Sequence, residues 1–185
     1  MKESQKKSHF LNPDMLIAYS AILVGLCALV VSIYEANIFR QQQKASVWPC
    51  LEFSFSTGDG FSYILKNKGV GPAIIKWVCV KVDGESVKSW GEYLQKIFDG
   101  DSVKLNFRTS FISDRVISAD EEIKLLSFDD PVAIHRVISQ MDRVSFEICY
   151  RSIFEDYWII KSDSSGNKIY ATDNYDIDPN DKFQN

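Results

Sequence analysis

The sequence predicts a membrane-spanning helix near the N-terminus followed by a mainly β domain, an antiparallel Ig-like β-sandwich carrying two short helices. Three observations lead there. Residues 15–34 (MLIAYSAILVGLCALVVSIY) hold no charged side chain. Beyond residue 50, apolar and polar residues alternate at a period of two, with turn chemistry about every ten residues. Two short segments replace that alternation with the 3.6-residue period of a helix.

The uncharged run is 20 residues long and is bracketed by Asp14 and Glu35. At about 1.5 Å per residue it extends roughly 30 Å, the thickness of a bilayer's hydrocarbon core. Tyr34 stands where an interfacial aromatic belongs. A cleaved signal peptide fits less well. Its apolar stretch would be shorter, and no small-x-small site follows, since Tyr34 fills the −3 slot of the nearest candidate, Ala36. Residues 1–14 then form a basic tail, 15–34 the span and 35–48 a helical stalk. Pro49 stops the stalk, because proline restricts the residue before it and has no amide to donate.

Lys2, Lys6 and Lys7 precede the span, and Arg40 and Lys44 follow it. The lysine and arginine count therefore favours a cytoplasmic N-terminus and a periplasmic domain. The odd number of cysteines beyond the span, Cys50, Cys79 and Cys149, argues the other way, because an oxidising compartment leaves one unpaired. Within the span Ala18, Ala21, Gly25, Ala28 and Ser32 recur at spacings of 3, 4, 3 and 4. Small residues on one seam let two helices approach closely in lipid, so a second copy or a membrane protein partner is expected there.

Residues 49–162 read as the sandwich. Leu51, Phe53 and Phe55 alternate with Cys50, Glu52 and Ser54, and Thr57-Gly58-Asp59-Gly60 turns the chain into a second strand, 61–66. A β-branched run, 73–82, ends at Asp83-Gly84. Val103, Leu105 and Phe107 alternate, shorter strands cover 115–118 and 122–127, and Val144, Phe146, Ile148 and Tyr150 precede a last strand at 157–161. Trp90, Tyr93, Leu94, Ile97 and Phe98 mark one helical face. Asp130-Pro131 caps the other helix, with Ile134, Val137, Ile138 and Met141 expected to point inward. Residues 163–185 form an acidic polar tail whose apolar content is too low to offset its ordering entropy, so a mobile end is expected.

Charge narrows the function. The 185-residue chain carries a net charge of −4, and residues 49–185 hold 16 basic and 22 acidic side chains, a net of −6. Such a domain is repelled by nucleic acid and by anionic lipid. With only His9 and His135, a histidine-rich metal site is excluded. No two cysteines stand in a C-x-x-C pair, and no cofactor or metal is expected. Asn67-x-Gly69-x-Gly71-Pro72-Ala73 has a Gly-x-Gly pair, but Pro72 removes a donor and a strand follows where a phosphate loop needs a helix. It reads as a structural turn, with glycine at positive φ and Asn67 bonding the local backbone. Asp176-x-Asp178-x-Asn180 copies the start of a calcium loop but lacks its glycine and its closing glutamate. Cys149 and His135 are the one pairing available to a nucleophilic thiol.

The Asn67–Ala73 segment resembles the N-x-G-x-G-P-A turn of uncharacterised bacterial single-pass membrane-anchored β-sandwich proteins. Residues 150–158 (YRSIFEDYW) resemble the Y-x-D/S-x-F-G-x-x-W turn of the same proteins, with Glu155 where they carry glycine. The resemblance implies a sandwich in a bacterial inner membrane and no activity. The expected function is a non-enzymatic binding module, an accessory subunit, sensor or assembly factor acting through protein–protein contacts. The alternative is an effector that oligomerises through its span and perturbs the lipid bilayer, although a span without charge is poorly suited to an aqueous pore.

Overall fold

The computed structural model describes residues 13–100 and 105–184. The chain divides into two units, Met1–Ala45 and Ser46–Asn185. The first is dominated by one helix, α1 (Pro13–Ser46), which is long and apolar enough to cross a membrane and buries none of its residues. The expected span and stalk are therefore one uninterrupted helix. It stops three residues short of Pro49.

The second unit is β-sandwich-like, built from two antiparallel sheets. Strands β1 (Leu51–Ser56), β2 (Phe61–Asn67), β7 (Glu122–Phe128) and β5 (Arg108–Thr109) form one sheet in the order β1-β2-β7-β5. The other runs β10-β9-β8-β3-β4, from β10 (Gly166–Ala171), β9 (Tyr157–Asp163), β8 (Val144–Arg151), β3 (Ala73–Val82) and β4 (Glu85–Val87), with β6 (Val116–Ile117) also paired to β3. Asp83 and Gly84, both at positive φ, make the two-residue turn of the β3–β4 hairpin, as the Asp-Gly pair implies. Leu105 and Phe107 lie outside any strand, so the expected alternation there shrinks to the two residues of β5. Val103 lies outside the described residues.

The period-two faces meet between the sheets. Val78, Val80 and Val82 stand opposite Ile148, Phe146 and Val144 across the β3–β8 pair, and all six are buried. Phe146 reaches the other sheet, its ring 4.3 Å from that of Phe53 and 4.9 Å from that of Tyr63. Helix α2 (Trp90–Ile97), capped by Ser89, buries Trp90, Tyr93, Leu94 and Ile97. Helix α3 (Pro131–Ser139) has the expected cap, with Asp130 accepting from the Ala133 N–H. Its inward face is narrower than the sequence implies. Ala133 and Val137 are buried and Ile134 is half-buried, whereas Ile138 is 42% exposed.

The tail departs from expectation. Residues 166–171 form β10 along β9, and the chain then crosses the outer face of the second sheet. Trp77 Nε1 donates to the Tyr175 carbonyl at 2.6 Å, and the Tyr157 and Tyr175 rings stack at 4.2 Å. Ile177 packs on Trp77, Cys79, Cys149 and Ile159. The chain ends by docking on β3, where Phe183 N–H donates to Val78 C=O and Gln184 N–H to Lys88 C=O. Phe183 is fully buried, 5.0 Å from the Trp90 ring. Of the tail's apolar side chains Phe183 is thus buried and Ile177 half-buried. Truncating Phe183 leaves a cavity, so Phe183→Ala is expected to destabilise the protein by about 3–5 kcal/mol. Denaturant unfolding of the full chain in detergent micelles checks this, and a loss under 1 kcal/mol contradicts the docked tail.

Candidate functional site

Two places among the described residues of the second unit bear on function. The first is the turn around Asn67, at the end of β2. Its side chain is buried and fully bonded. Nδ2 donates to the carbonyls of Gly71 at 2.8 Å and Ile117 at 3.1 Å, while Oδ1 accepts from the N–H groups of Gly69 at 3.0 Å and Cys50 at 3.2 Å. Its backbone N–H donates to Glu121 C=O and its carbonyl accepts from Asp120 N–H. These partners come from both sheets, because the chain crosses from one to the other at 67–73 and returns at 118–122.

Gly69 and Gly71 are needed for space, and neither has positive φ, which corrects the expectation of left-handed glycines. A Cβ on Gly69 would collide with the Trp48 carbonyl and the Cys50 N–H, and one on Gly71 with the Val47 carbonyl. The turn therefore lies directly on residues 47–50. Lys68 N–H donates to Cys50 C=O and Val70 N–H to Trp48 C=O, at 2.7 and 3.1 Å. Pro72 has no N–H and so needs no acceptor where the chain enters β3. The arrangement is structural, with no donors left to hold a phosphate.

The second place is a cleft of about 540 Å³ between the sheets, lined by Phe53, Ser54, Phe55, Tyr63, Met141, Asp142, Val144, Phe146 and the β9–β10 turn, Ser162–Ser164 with Gly166 and Asn167. Its volume and aromatic walls suit an apolar group. Its charged lining residues are Asp142 and Asp163. Hydrogen bonds from the Ser165 hydroxyl and N–H hold the Asp163 carboxyl below the usual carboxylate range. It therefore stays ionised at neutral pH. Tyr63 bonds Tyr93 hydroxyl to hydroxyl at 2.7 Å, and burial pushes both phenols up, so both are neutral. The cleft leaves no mark in the sequence because it is assembled from four separate segments, and Phe55, expected on the apolar face of its strand with Leu51 and Phe53, is exposed at its rim.

The remaining expected residues stay apart. Cys149 does face away from Val144, Phe146, Ile148 and Tyr150, but it is buried among Trp77, Cys79 and Ile159. His135 is exposed on α3. Burial pushes the Cys149 thiol up to about 11, the opposite of what a nucleophile needs. Asp178 and Asn174 accept from the N–H groups of Asn180 and Asp176, and Asp181 accepts from the Ser86 hydroxyl at 2.6 Å, so these side chains shape turns. Among the described residues no group of three or more His, Cys, Asp or Glu could hold a metal. Glu155 has a φ of 62°, the left-handed conformation that favours the glycine of the resembling turn. In α1, Ala18, Ala21, Gly25, Ala28 and Ser32 are all exposed, and nothing lies within 4 Å of a Cβ built on Gly25.

No protein-family model matches this chain, and no curated protein or solved structure is significantly similar to it.

Two outcomes follow from these geometries. Asn67→Ala strands donors and acceptors at a sheet junction and Gly71→Ala forces the backbone of residue 47 aside, each costing about 3 kcal/mol or more. Thermal unfolding should fall by roughly 10 °C for both, while Gly58→Ala, in open space, leaves it unchanged. The Cys149 thiol is harder to ionise folded than unfolded, so its contribution is intact below pH 9 and is lost as pH rises from 9 to about 11. The denaturant midpoint of the native protein should therefore drop across that window more steeply than that of Cys149→Val.

Proposed function

We propose that the chain is a single-pass membrane-anchored binding module of a bacterial inner membrane, non-enzymatic, presenting an Ig-like β-sandwich to a protein partner. The carrying observation is α1, a helix with an 18-residue window of mean hydropathy 2.5 and no residue buried by its own chain. Apolar surface of that extent needs another apolar phase, and a bilayer matches its length. The seam from Ala18 to Ser32 supports lateral contact with a second copy or another membrane protein. The lysines at 2, 6 and 7 support a periplasmic domain.

The binding reading is supported by the domain's built, partly apolar cleft. On this reading the full chain stays with membranes after carbonate extraction. An impermeant maleimide labels Asp173→Cys in intact cells, and photo-crosslinkers scanned over the exposed surface of the sandwich capture one recurring protein. Release of the full chain by carbonate contradicts the anchor, protection of the cysteine until lysis moves the domain to the cytoplasm, and a scan without any crosslink contradicts the module.

A further inference from the structure

β1 is the terminal strand of its sheet; its outer side is covered at Leu51 and Phe53, which are buried, and opens at Phe55, which is 51% exposed. The bond from Lys68 N–H to Cys50 C=O fixes the phase of the β1–β2 ladder. In an antiparallel pair, alternate residues turn their backbone groups toward the partner. Cys50, Glu52 and Ser54 thus face β2, while Phe53 and Phe55 turn their N–H and C=O outward. The same phase is seen from the other sheet, where Asn167 Nδ2 donates to the Phe53 carbonyl at 2.6 Å. The N–H groups of Phe53 and Phe55 and the Phe55 carbonyl have no partner among the described residues.

Exposed edges are ordinarily protected by lysine, proline, a bulge or brevity. At its Phe55 end β1 has none of these, the Asn167 side chain covering it only at Phe53. It is six residues long, reads LEFSFS, and pairs without a register shift. It also borders the inter-sheet cleft, into which Phe53 and Phe55 contribute walls. Unpaired backbone gives an extended peptide its affinity, and a pocket beside it accepts alternate side chains. The charge of the rim selects the occupant. Asp142 and Asp163 line the cleft and no cation does, and the domain as a whole is at −6. A second copy would bring like charges together, whereas a basic segment is attracted.

We propose that the outer edge of β1 captures an extended, basic segment of a partner protein as a fifth strand of its sheet, seating an apolar side chain in the cleft and lysine or arginine beside Asp142 and Asp163. This deepens the binding-module reading and rests on it. The test is selection of a random twelve-residue display library on the full chain in nanodiscs. Chosen peptides are then synthesised for titration and for hydrogen exchange. Phe55→Pro removes an outward N–H while leaving the β1–β2 bonds in place, and Asp142→Lys reverses an exposed charge.

Expected are peptides that alternate apolar residues and carry lysine or arginine, and that slow amide exchange within residues 51–56. Their affinity should fall at least tenfold with Phe55→Pro and about fivefold with Asp142→Lys. Failure of selection, binding that ignores Phe55→Pro, or peptides that leave exchange in 51–56 unchanged overturns the edge site. So does a concentration-dependent dimer abolished by Phe55→Pro, which would assign the edge to a second copy. Surface crosslinks that avoid β1 would sink this inference and leave the module reading standing.

Discussion

A single buried carboxamide holds the entrance of the domain. Asn67 joins the end of β2, the turn before β3, the last residue of β6 and the segment that starts β1. A short polar side chain suits this junction because it offers two donors and two acceptor sites within one plane, and four backbone groups surround it. An apolar residue of similar size would strand all four, and a longer one would not fit between two glycines whose missing Cβ atoms admit residues 47–50. Both sheets and the strand that follows α1 are thereby tied at one point.

The remainder of the sandwich is finished unevenly. The β3 edge and the outer face of the second sheet are covered by the chain's own last residues, which end with Phe183 in the core. On the side of β1 the sheets meet through the Phe53 and Phe146 rings and the Asn167 bond to the Phe53 carbonyl. The cleft persists there because no large side chain from the β9–β10 turn, built of serine, aspartate, glycine and asparagine, fills the gap beside Phe146.

Much of this was legible in the sequence, for physical reasons. Period-two alternation exposes which face of a strand is wet, so β1, β3 and β8 were readable from Leu51, Val80 and Phe146. The Asp83-Gly84 turn and the Asp130-Pro131 cap are local and depend on neighbours in sequence. Asn67 was recognised as bonding nearby backbone, though its partner Ile117 lies fifty residues away and left no local trace. Gly69 and Gly71 mark a turn in the sequence but not its cause, because close approach and positive φ demand the same residue. The tail is opaque, since Tyr175, Ile177 and Phe183 share no period and each meets the domain through a different contact, a ring stack, an apolar cluster and the core. The cleft was equally hidden, being a space defined by segments distant in sequence.

The Asn67 junction should be as firm as the core it organises. Native-state hydrogen exchange of the Cys50 and Gly69 amides, the two donors to its Oδ1, tests this most directly. Both are expected to exchange as slowly as the central amides of β3 and β8, through global unfolding. Exchange at the rate of an exposed turn, while β3 and β8 remain protected, would contradict it.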